Sequence, residues 1–375
     1  MQIPFNKPYM TGKELWYVSQ AHANGHLAGD GVFTKKCNQW LELQIGCSKA
    51  LLTHSCTAAL ELAAILCELK PGDEVIMPSY TFVSTANAFV LQGAVPVFVD
   101  IRADTLNIDE SKIEEAITER TKAIVPVHYA GVGCDMDAIM EIANRHELLV
   151  IEDAAQGIQS NYKGRPLGGI GHLGTVSFHE TKNIISGEGG ALLVNDPRFS
   201  EKAEIIREKG TNRSKFVRGQ VDKYTWVEKG SSYLPSELVA AFLWAQMEEA
   251  SQITQRRLDH WQIYHQWFES LEIDNKLRRP IVPDDCKHNA HMYYLLLPTA
   301  EERVTFIDDM KKVGVACVFH YVPLHDSPMG KKCSRASGDM SNTTDLSARL
   351  VRLPLWVELG EFQQSVIQHV HSILK

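Results

Sequence analysis

The chain of 375 residues carries a net charge of −8, with 38 Lys and Arg against 46 Asp and Glu, and has no basic tract. That excludes nucleic acid as a main partner and means that an anionic ligand would need a local basic pocket. The length, with 44% hydrophobic residues, suits a large core divided between two units.

The eight cysteines show no CxxC pair and no regular spacing, which fits reduced thiols better than a disulfide frame or a zinc site. Residues 1–8 lack the charged-then-apolar order of a signal peptide, and no apolar run reaches membrane-spanning length. A cytoplasmic protein with no membrane partner is expected.

Residues 1–30 read as an arm plus one helix, ending in the loop Gly25–Gly31, which either makes a turn or lets backbone approach a ligand. A helix around Thr34–Gln44 and a strand at Ala50–Thr53 follow. The next helix, Ala58–Leu69, gathers Leu60, Ala63, Ala64 and Cys67 on one face, with Ser55 or Thr57 in the N-cap position. Free N–H groups and small hydroxyl residues at a helix start form a ready phosphate site; an ordinary capped helix is the plain alternative.

From Asp73 short apolar strands alternate with helices. The strands are Glu74–Met77, Pro96–Asp100, Ala123–His128 and Leu148–Asp153. The helices are one opening at Pro78–Val83 and running through Leu91, then Ser111–Ile117 and Asp137–His146. This alternation predicts a mostly parallel sheet covered on both faces, with ligands bound at the carboxyl ends of its strands. The stretch Thr175–Gly190 begins as an apolar strand, delivers Lys182 onto a polar loop and turns through glycines into the strand Ala191–Val194. Asp153 and Lys182 thus both fall at strand ends. A helix near Pro197–Lys209 leads into the polar, basic loop Gly210–Gly219, which suits a diphosphate or a solvated surface equally. Ser236–Gln255, continuing to Trp267, reads as one long helix. Beyond Leu271 a strand (Met292–Leu297), a helix (Glu301–Lys312) and a strand (Ala316–His320) predict a second, smaller α/β unit.

A lysine at the end of a buried strand is costly to desolvate unless its charge is used or removed. Burial lowers its pKa, and the neutral amine can attack an aldehyde to form a Schiff base. A surface lysine between hairpin strands is the ordinary alternative. A pyridoxal phosphate site also needs an acid for the pyridine nitrogen, an anion cradle and a flat side chain against the ring. Lys182, Asp153, the helix start Ser55–Ala58 and Phe82 supply one candidate for each. His320 and His325 have no Cys, Asp or Glu partner at matching spacing, so no metal is expected.

Glu152-Asp-Ala-Ala-Gln156, Ser177-Phe-His-Glu-Thr-Lys-Asn183 and Gly187-Glu-Gly-Gly190 resemble the motifs of the DegT/DnrJ/EryC1/StrS family of sugar-nucleotide aminotransferases. Pro78-Ser-Tyr-Thr-Phe-Val-Ser-Thr85 and Tyr321-Val-Pro-Leu-His325 match as well, and the resemblance covers essentially the whole chain. It implies an α/β, aspartate-aminotransferase-like fold (fold type I) with a mostly parallel central sheet. A large pyridoxal-phosphate-binding domain would span residues 1–250 and a small C-terminal α/β domain residues 251–375. The family works as a homodimer with active sites at the interface.

Carried onto this sequence, Lys182 is the Schiff-base lysine and the proton shuttle, and Asp153 pairs with the pyridine nitrogen. Gln156 contacts the ring face or its 3′-oxygen, and Phe82 stacks on the ring. Thr57, Ala58 and Ser177 hold the phosphate. Many members have Gly-Tyr-Asn-Tyr before the long helix, whose Asn reaches the partner subunit's phosphate; here the match is Gly230-Ser-Ser-Tyr233, and Ser232 takes that place with a shorter reach. His179, beside the lysine, touches substrate or packs in the strand. The basic loop, Arg213 included, contacts the nucleotide, and His325 is either a substrate neighbour or structural.

The stretches Arg207-Glu-Lys-Gly-Thr-Asn-Arg213 and Gly219-Gln-Val-Asp-Lys-Tyr-Thr-Trp226 resemble the branch that makes dTDP-4-amino-4,6-dideoxy-D-galactose for enterobacterial surface antigens. The implied reaction moves the amino group of L-glutamate through pyridoxamine phosphate to C4 of dTDP-4-keto-6-deoxy-D-glucose. Close relatives act at C3 of a dTDP-3-keto-6-deoxyhexose, which is one alternative. The family's sugar 3-dehydratases carry His in place of the lysine, so Lys182 speaks against that activity. A non-catalytic sugar-nucleotide-binding regulator is a third alternative, against which Lys182, Asp153 and Gln156 all stand, since binding alone needs no Schiff base.

Overall fold

The computed structural model describes residues 2–375. Its thirteen strands are β1 (Lys49–Thr53), β2 (Glu74–Pro78), β3 (Val95–Val99), β4 (Thr121–Ile124), β5 (Leu149–Asp153), β6 (Asn161–Tyr162), β7 (Arg165–Pro166), β8 (Leu173–Ser177), β9 (Gly190–Val194), β10 (Cys286–Lys287), β11 (Tyr293–Leu296), β12 (Arg335–Ala336) and β13 (Leu350–Leu353). Every residue of β2, β8 and β9 is buried, as expected of strands covered on both faces. Eight strands form the central sheet in the order β1-β9-β8-β5-β4-β2-β3-β12. Only β9 runs against its neighbours; the other pairings are parallel. The carboxyl ends of β1, β2, β5 and β8 therefore share one edge of the sheet.

Helix α1 (Glu14–Ala23) and α2 (Val32–Ile45) lie ahead of the sheet, and α3 (Cys56–Leu66) and α4 (Val83–Val90) follow β1 and β2. The start of α3 lies two residues before the expected one, with Ser55 as its cap: the Ser55 hydroxyl accepts from the Ala58 amide at 3.0 Å. The Gly25–Gly31 loop ends in a helix cap. Glu237, buried, accepts from the Gly31 and Phe33 amides at 3.1 and 2.8 Å and so caps α2 from another helix. The expected long helix divides into Glu237–Glu248 and Ala250–Trp267, because the backbone leaves helical geometry at Glu249 (φ −105°, ψ 9°).

A second sheet pairs β11 with β13, antiparallel, setting Tyr294 opposite Arg352. The strand expected at Ala316–His320 does not form. Only Val318 makes an isolated bridge, to Arg352, and the chain then bends away at Tyr321, which has a positive φ of 20°. This smaller sheet packs under a core of Trp261, Tyr264, Phe268, Phe306 and Val366. The two parts of the chain exchange segments. Ile3 sits in that second core and its amide donates to the Gly314 carbonyl at 2.8 Å, while β12 extends the central sheet beside β3.

Glu74 ties β12 in place. Its buried carboxylate accepts from Arg335 Nη2 at 2.7 Å and Nε at 3.1 Å, and from the Thr118 hydroxyl at 2.8 Å. The Arg335 hydrogen bonds, joined by Arg120 and Thr118, outweigh burial and hold Glu74 down at about 2. A depressed carboxylate pKa stabilises the fold above its ordinary value of 4.5, and that contribution fades as pH falls toward 2. Glu74→Ala should lower stability by about 3 kcal/mol and flatten the acid limb between those pH values. Urea unfolding followed by circular dichroism across that range checks both effects.

Candidate active site

A cavity of about 710 Å³ opens at the shared carboxyl edge, between the ends of β1, β2, β5 and β8 and the second sheet. Asp153, the last residue of β5, lies in its wall, 5% exposed. Its Oδ2 accepts from the Thr85 hydroxyl at 2.7 Å and its Oδ1 from the Ala155 amide at 3.1 Å. Thr85 has a single hydroxyl proton, which goes to the carboxylate, so Thr81, 2.8 Å away, donates to Thr85. The first turn of α4 thus holds Asp153 in one orientation. No Lys or Arg of the described residues pairs with it.

Gln156 is fixed at both ends of its amide. Oε1 accepts from the Ala130 amide at 2.7 Å, and Nε2 donates to the Tyr321 hydroxyl at 3.0 Å. The Tyr321 ring stacks on His320, with centroids 3.6 Å apart, and His320 Nδ1 shares a hydrogen bond with the Tyr129 hydroxyl at 2.7 Å.

Lys182 stands in the loop joining β8 to β9. The loop is a tight return: the Phe178 amide donates to the Gly189 carbonyl, Glu180 to Gly187, and Lys182 to His179. The side chain is half-buried in the cavity wall. Burial pushes the amine's pKa below its ordinary value, partly offset by Cys56 and Asp153, so the uncharged, nucleophilic form becomes more accessible. The next residue anchors the loop. Asn183 Nδ2 donates to the Asn289 carbonyl at 2.7 Å, so its Oδ1 must accept, and His291 Nδ1 is the donor at 3.1 Å. Burial, with the charges of Lys182 and Arg257 beside it, holds His291 far below its usual range. It is therefore a neutral imidazole with Nε2 as an acceptor.

The start of α3 forms the anion end. Ser55 takes the Ala58 amide, so the amide expected to grip phosphate at Ala58 is already used, and Ala58 lies behind the cavity. The groups left for an anion are the Thr57 backbone and hydroxyl, the latter 2.8 Å from Ser84 Oγ, and Ser177 at the end of β8. Gly190 allows this arrangement: a Cβ there would stand 2.4 Å from the Cys56 nitrogen. Phe82 is 55% exposed at the cavity, its ring 6.2 Å from that of Tyr321.

The structure thus gathers Lys182, Asp153, Gln156, Thr57, Ser177 and Phe82 around one cavity. His179 joins them at the rim. It does not pack in the strand: its side chain is 38% exposed, Nδ1 accepts from the Thr181 amide at 3.2 Å, and Nε2 lies 3.7 Å from Glu188. With Ala58, four expected residues lie outside the walls of their own chain's cavity. Ser232 is exposed and bridged to Glu208, Arg213 pairs with Glu208, and His325 bonds Ser79 Oγ at 2.7 Å. Thr85, His291 and Arg352 line the cavity without having been singled out by pattern. Arg352 left a signal, a cation inside the apolar run Leu350-Val-Arg-Leu353.

These parts suit pyridoxal phosphate: an amine of lowered pKa, a buried carboxylate without a chain cation, and a hydroxyl-lined helix start. Residues 8–371 match the sequence profile of one family. The chain belongs to the DegT/DnrJ/EryC1/StrS aminotransferase family. The spore coat polysaccharide biosynthesis protein SpsC of Bacillus subtilis is 33% identical over 384 residues, spanning 100% of this chain and 97% of its own. The aminotransferase TlmJ from Streptoalloteichus hindustanus superposes with a TM-score of 0.91 at 27% identity, over 100% of this chain and 99% of its own. Spr1654 from Streptococcus pneumoniae, in its PLP-form and its PMP-form, gives a TM-score of 0.89 at 27% identity, over 100% of this chain and at least 98% of its own. The chain is an aminotransferase with the aspartate-aminotransferase-like fold, and its cofactor alternates between pyridoxal and pyridoxamine phosphate.

Thr85→Val keeps the shape of α4 and removes the hydroxyl that orients Asp153. Affinity for pyridoxal phosphate should fall about tenfold, with the circular dichroism spectrum unchanged. An equilibrium titration followed by absorbance checks this, and an unaltered affinity would mean that Asp153 needs no help from α4.

Proposed function

We propose that this aminotransferase moves the amino group of L-glutamate to the 4-keto carbon of dTDP-4-keto-6-deoxy-D-glucose, giving dTDP-4-amino-4,6-dideoxy-D-galactose for surface polysaccharide synthesis. The observation that carries aminotransfer is that Lys182 and Asp153 line one cavity together with the start of α3. The sugar-nucleotide half is supported by the motif resemblance and by the name of SpsC, a polysaccharide biosynthesis protein.

Bound pyridoxal phosphate supplies the electron sink that lets an amino group pass between two carbonyl carbons. The residues of this chain position it and move protons. Thr57 and Ser177, with the start of α3, would hold the phosphate. Asp153 would set its carboxylate against the ring nitrogen and keep that nitrogen protonated. Gln156, immobilised between Ala130 and Tyr321, would lie against the ring, and Phe82 would cover it. The Lys182 amine takes the proton from the donor's carbon and returns one to the acceptor's, ordinary general acid–base work.

The remaining assignments need a second subunit. A homodimer is supported by the run from Phe216 to Val227, where Phe216, Val217, Tyr224, Trp226 and Val227 are all 42% or more exposed, more apolar surface than one segment of a monomer usually leaves bare. In a dimer Arg213 and Ser232, which flank that run, would reach the partner's cavity as nucleotide and phosphate contacts. The large domain would span residues 1–250 and the small one residues 251–375, with His179 contacting substrate at the rim.

Incubation with L-glutamate and dTDP-4-keto-6-deoxy-D-glucose, with the product read by proton and carbon NMR, tests this function. Nitrogen on C4 is the expected result; conversion only of a dTDP-3-keto-6-deoxyhexose would contradict it. Lys182→Ala should lower the rate at least about 100-fold while the fold, followed by circular dichroism, stays intact.

A further inference from the structure

Asn289, in the loop between β10 and β11, is fully buried and is not among the residues that line the cavity. Its side chain uses all its polar groups on main-chain partners. Nδ2 donates to the Gln156 and Ile158 carbonyls at 2.8 and 2.7 Å, and Oδ1 accepts from the His291 amide at 3.0 Å. Its own carbonyl accepts from Asn183 Nδ2 at 2.7 Å, and Asn183 Oδ1 accepts from His291 Nδ1 at 3.1 Å. One short loop therefore grips both the turn after β5, which carries Gln156, and the return loop that carries Lys182.

That loop is held more firmly than its size requires. Ala290 has a left-handed backbone, φ 51°, a conformation that costs a residue with a Cβ about 1 kcal/mol or more. Arg257, in the helix Ala250–Trp267, donates to the Ala290 and His291 carbonyls at 3.1 and 2.7 Å. It is 3% exposed, and burial alone lowers its pKa, with no carboxylate acting against it. Committing a buried cation to two loop carbonyls is unfavourable, and a strained backbone persists only where its surroundings over-determine it. Gly131 completes the fit. Its φ is 79°, and a Cβ there would stand 2.1 Å from Asn289 Oδ1 and 3.2 Å from the Gln156 carbonyl oxygen. Its neighbour Ala130 is the residue whose amide holds the Gln156 side chain.

We infer that Asn289 is a positioning residue: it fixes the Lys182 loop and the Gln156 turn to one another, and so sets where the amine stands against the cofactor ring. This rests on the cofactor roles proposed above for Lys182 and Gln156. Asn289 lies outside the cavity, so it acts through Asn183 on one side and through the Gln156 main chain on the other. The bonds inside the return loop, Phe178 to Gly189 and Glu180 to Gly187, fix its shape but not its place beside the turn after β5. That place matters because an amine must meet the aldehyde carbon at bonding distance and from a narrow direction. A misplacement of about 1 Å costs up to about 100-fold in rate.

The experiment compares wild type, N183A, N289A and the double variant as full-length proteins. N183A removes both side-chain hydrogen bonds between the two loops and takes away no charge. Cys56, Asp153 and Arg352, which bear on the amine, all stay, as do the neutral His291 and His320. First, Lys182 is acetylated with acetic anhydride across a pH series, without cofactor, and its peptide is quantified by mass spectrometry. Burial holds the amine below its ordinary value, so a loop released toward water should raise the labelling midpoint in N183A and in N289A. The double variant should show no further rise, because both changes cut one link. Second, pyridoxal phosphate trapped on Lys182 by borohydride should form at least about tenfold more slowly in N183A. Affinity for pyridoxamine phosphate, which makes no bond to the lysine, should change less than about threefold by calorimetry. An unchanged midpoint in either single variant, or a further rise in the double variant, overturns the inference. So does a pyridoxamine phosphate affinity that falls as far as the trapping rate, which would make the link general scaffolding of the cavity. If N289A does not fold, N289S, which keeps one donor, takes its place in the comparison. A wild type that fixes no pyridoxal phosphate at Lys182 overturns the cofactor roles instead, and the labelling midpoints then still decide whether Asn289 holds the loop.

Discussion

A buried carboxylate that forms no ion pair among the described residues sets the terms for this molecule. Asp153 closes β5, takes one hydrogen bond on each oxygen, from Thr85 and Ala155, and is 5% exposed. A carboxylate withdrawn from water is tolerated only with a positive partner close by. The described residues offer none in pairing distance, and the proposed partner is the protonated ring nitrogen of the cofactor. The sheet order, the first turn of α4 and the return loop carrying Lys182 can each be understood as holding that carboxylate and that amine around one cavity.

The electrostatics of the cavity follow from the same burial. Lys182 loses basicity, and His291 and His320 are held far below their usual range. The tautomer of His291 follows from the Asn183 amide, which leaves Nε2 as an acceptor. Asp153 and Arg352, of opposite sign, stand in one pocket, and neither forms an ion pair among the described residues. A preorganised pocket of this kind stabilises charge as it develops, without reorganising at the moment of reaction.

Much of this was legible in the sequence where chemistry and periodicity coincide. Asp153 and Lys182 each follow an apolar strand, so the parallel-sheet pattern alone put both at carboxyl ends. The candidate anion site was legible at the start of α3, but not its division of labour, because Ser55 or Thr57 could cap from sequence and only the structure gives the cap to Ser55 and so uses up the Ala58 amide. Ala316–His320 looks like a strand by composition. Long-range pairing decided otherwise, since β13 takes the place beside β11 and the chain turns at Tyr321. The break at Glu249 was invisible because helical residues continue on both sides of it. Arg352 and Thr85 depend on contacts between segments hundreds or dozens of residues apart, which no local pattern records.

The most direct test of the central claim, that Lys182 holds the cofactor while Asp153 stands at its ring nitrogen, is chemical. The protein loaded with pyridoxal phosphate is reduced with borohydride, digested and mapped by mass spectrometry. The cofactor should be found fixed to the peptide containing Lys182 and to no other, and Asp153→Asn should carry much less of it under the same loading. A label spread over surface lysines, or full labelling of Lys182 in the Asp153→Asn protein, would contradict the pairing on which the site is built.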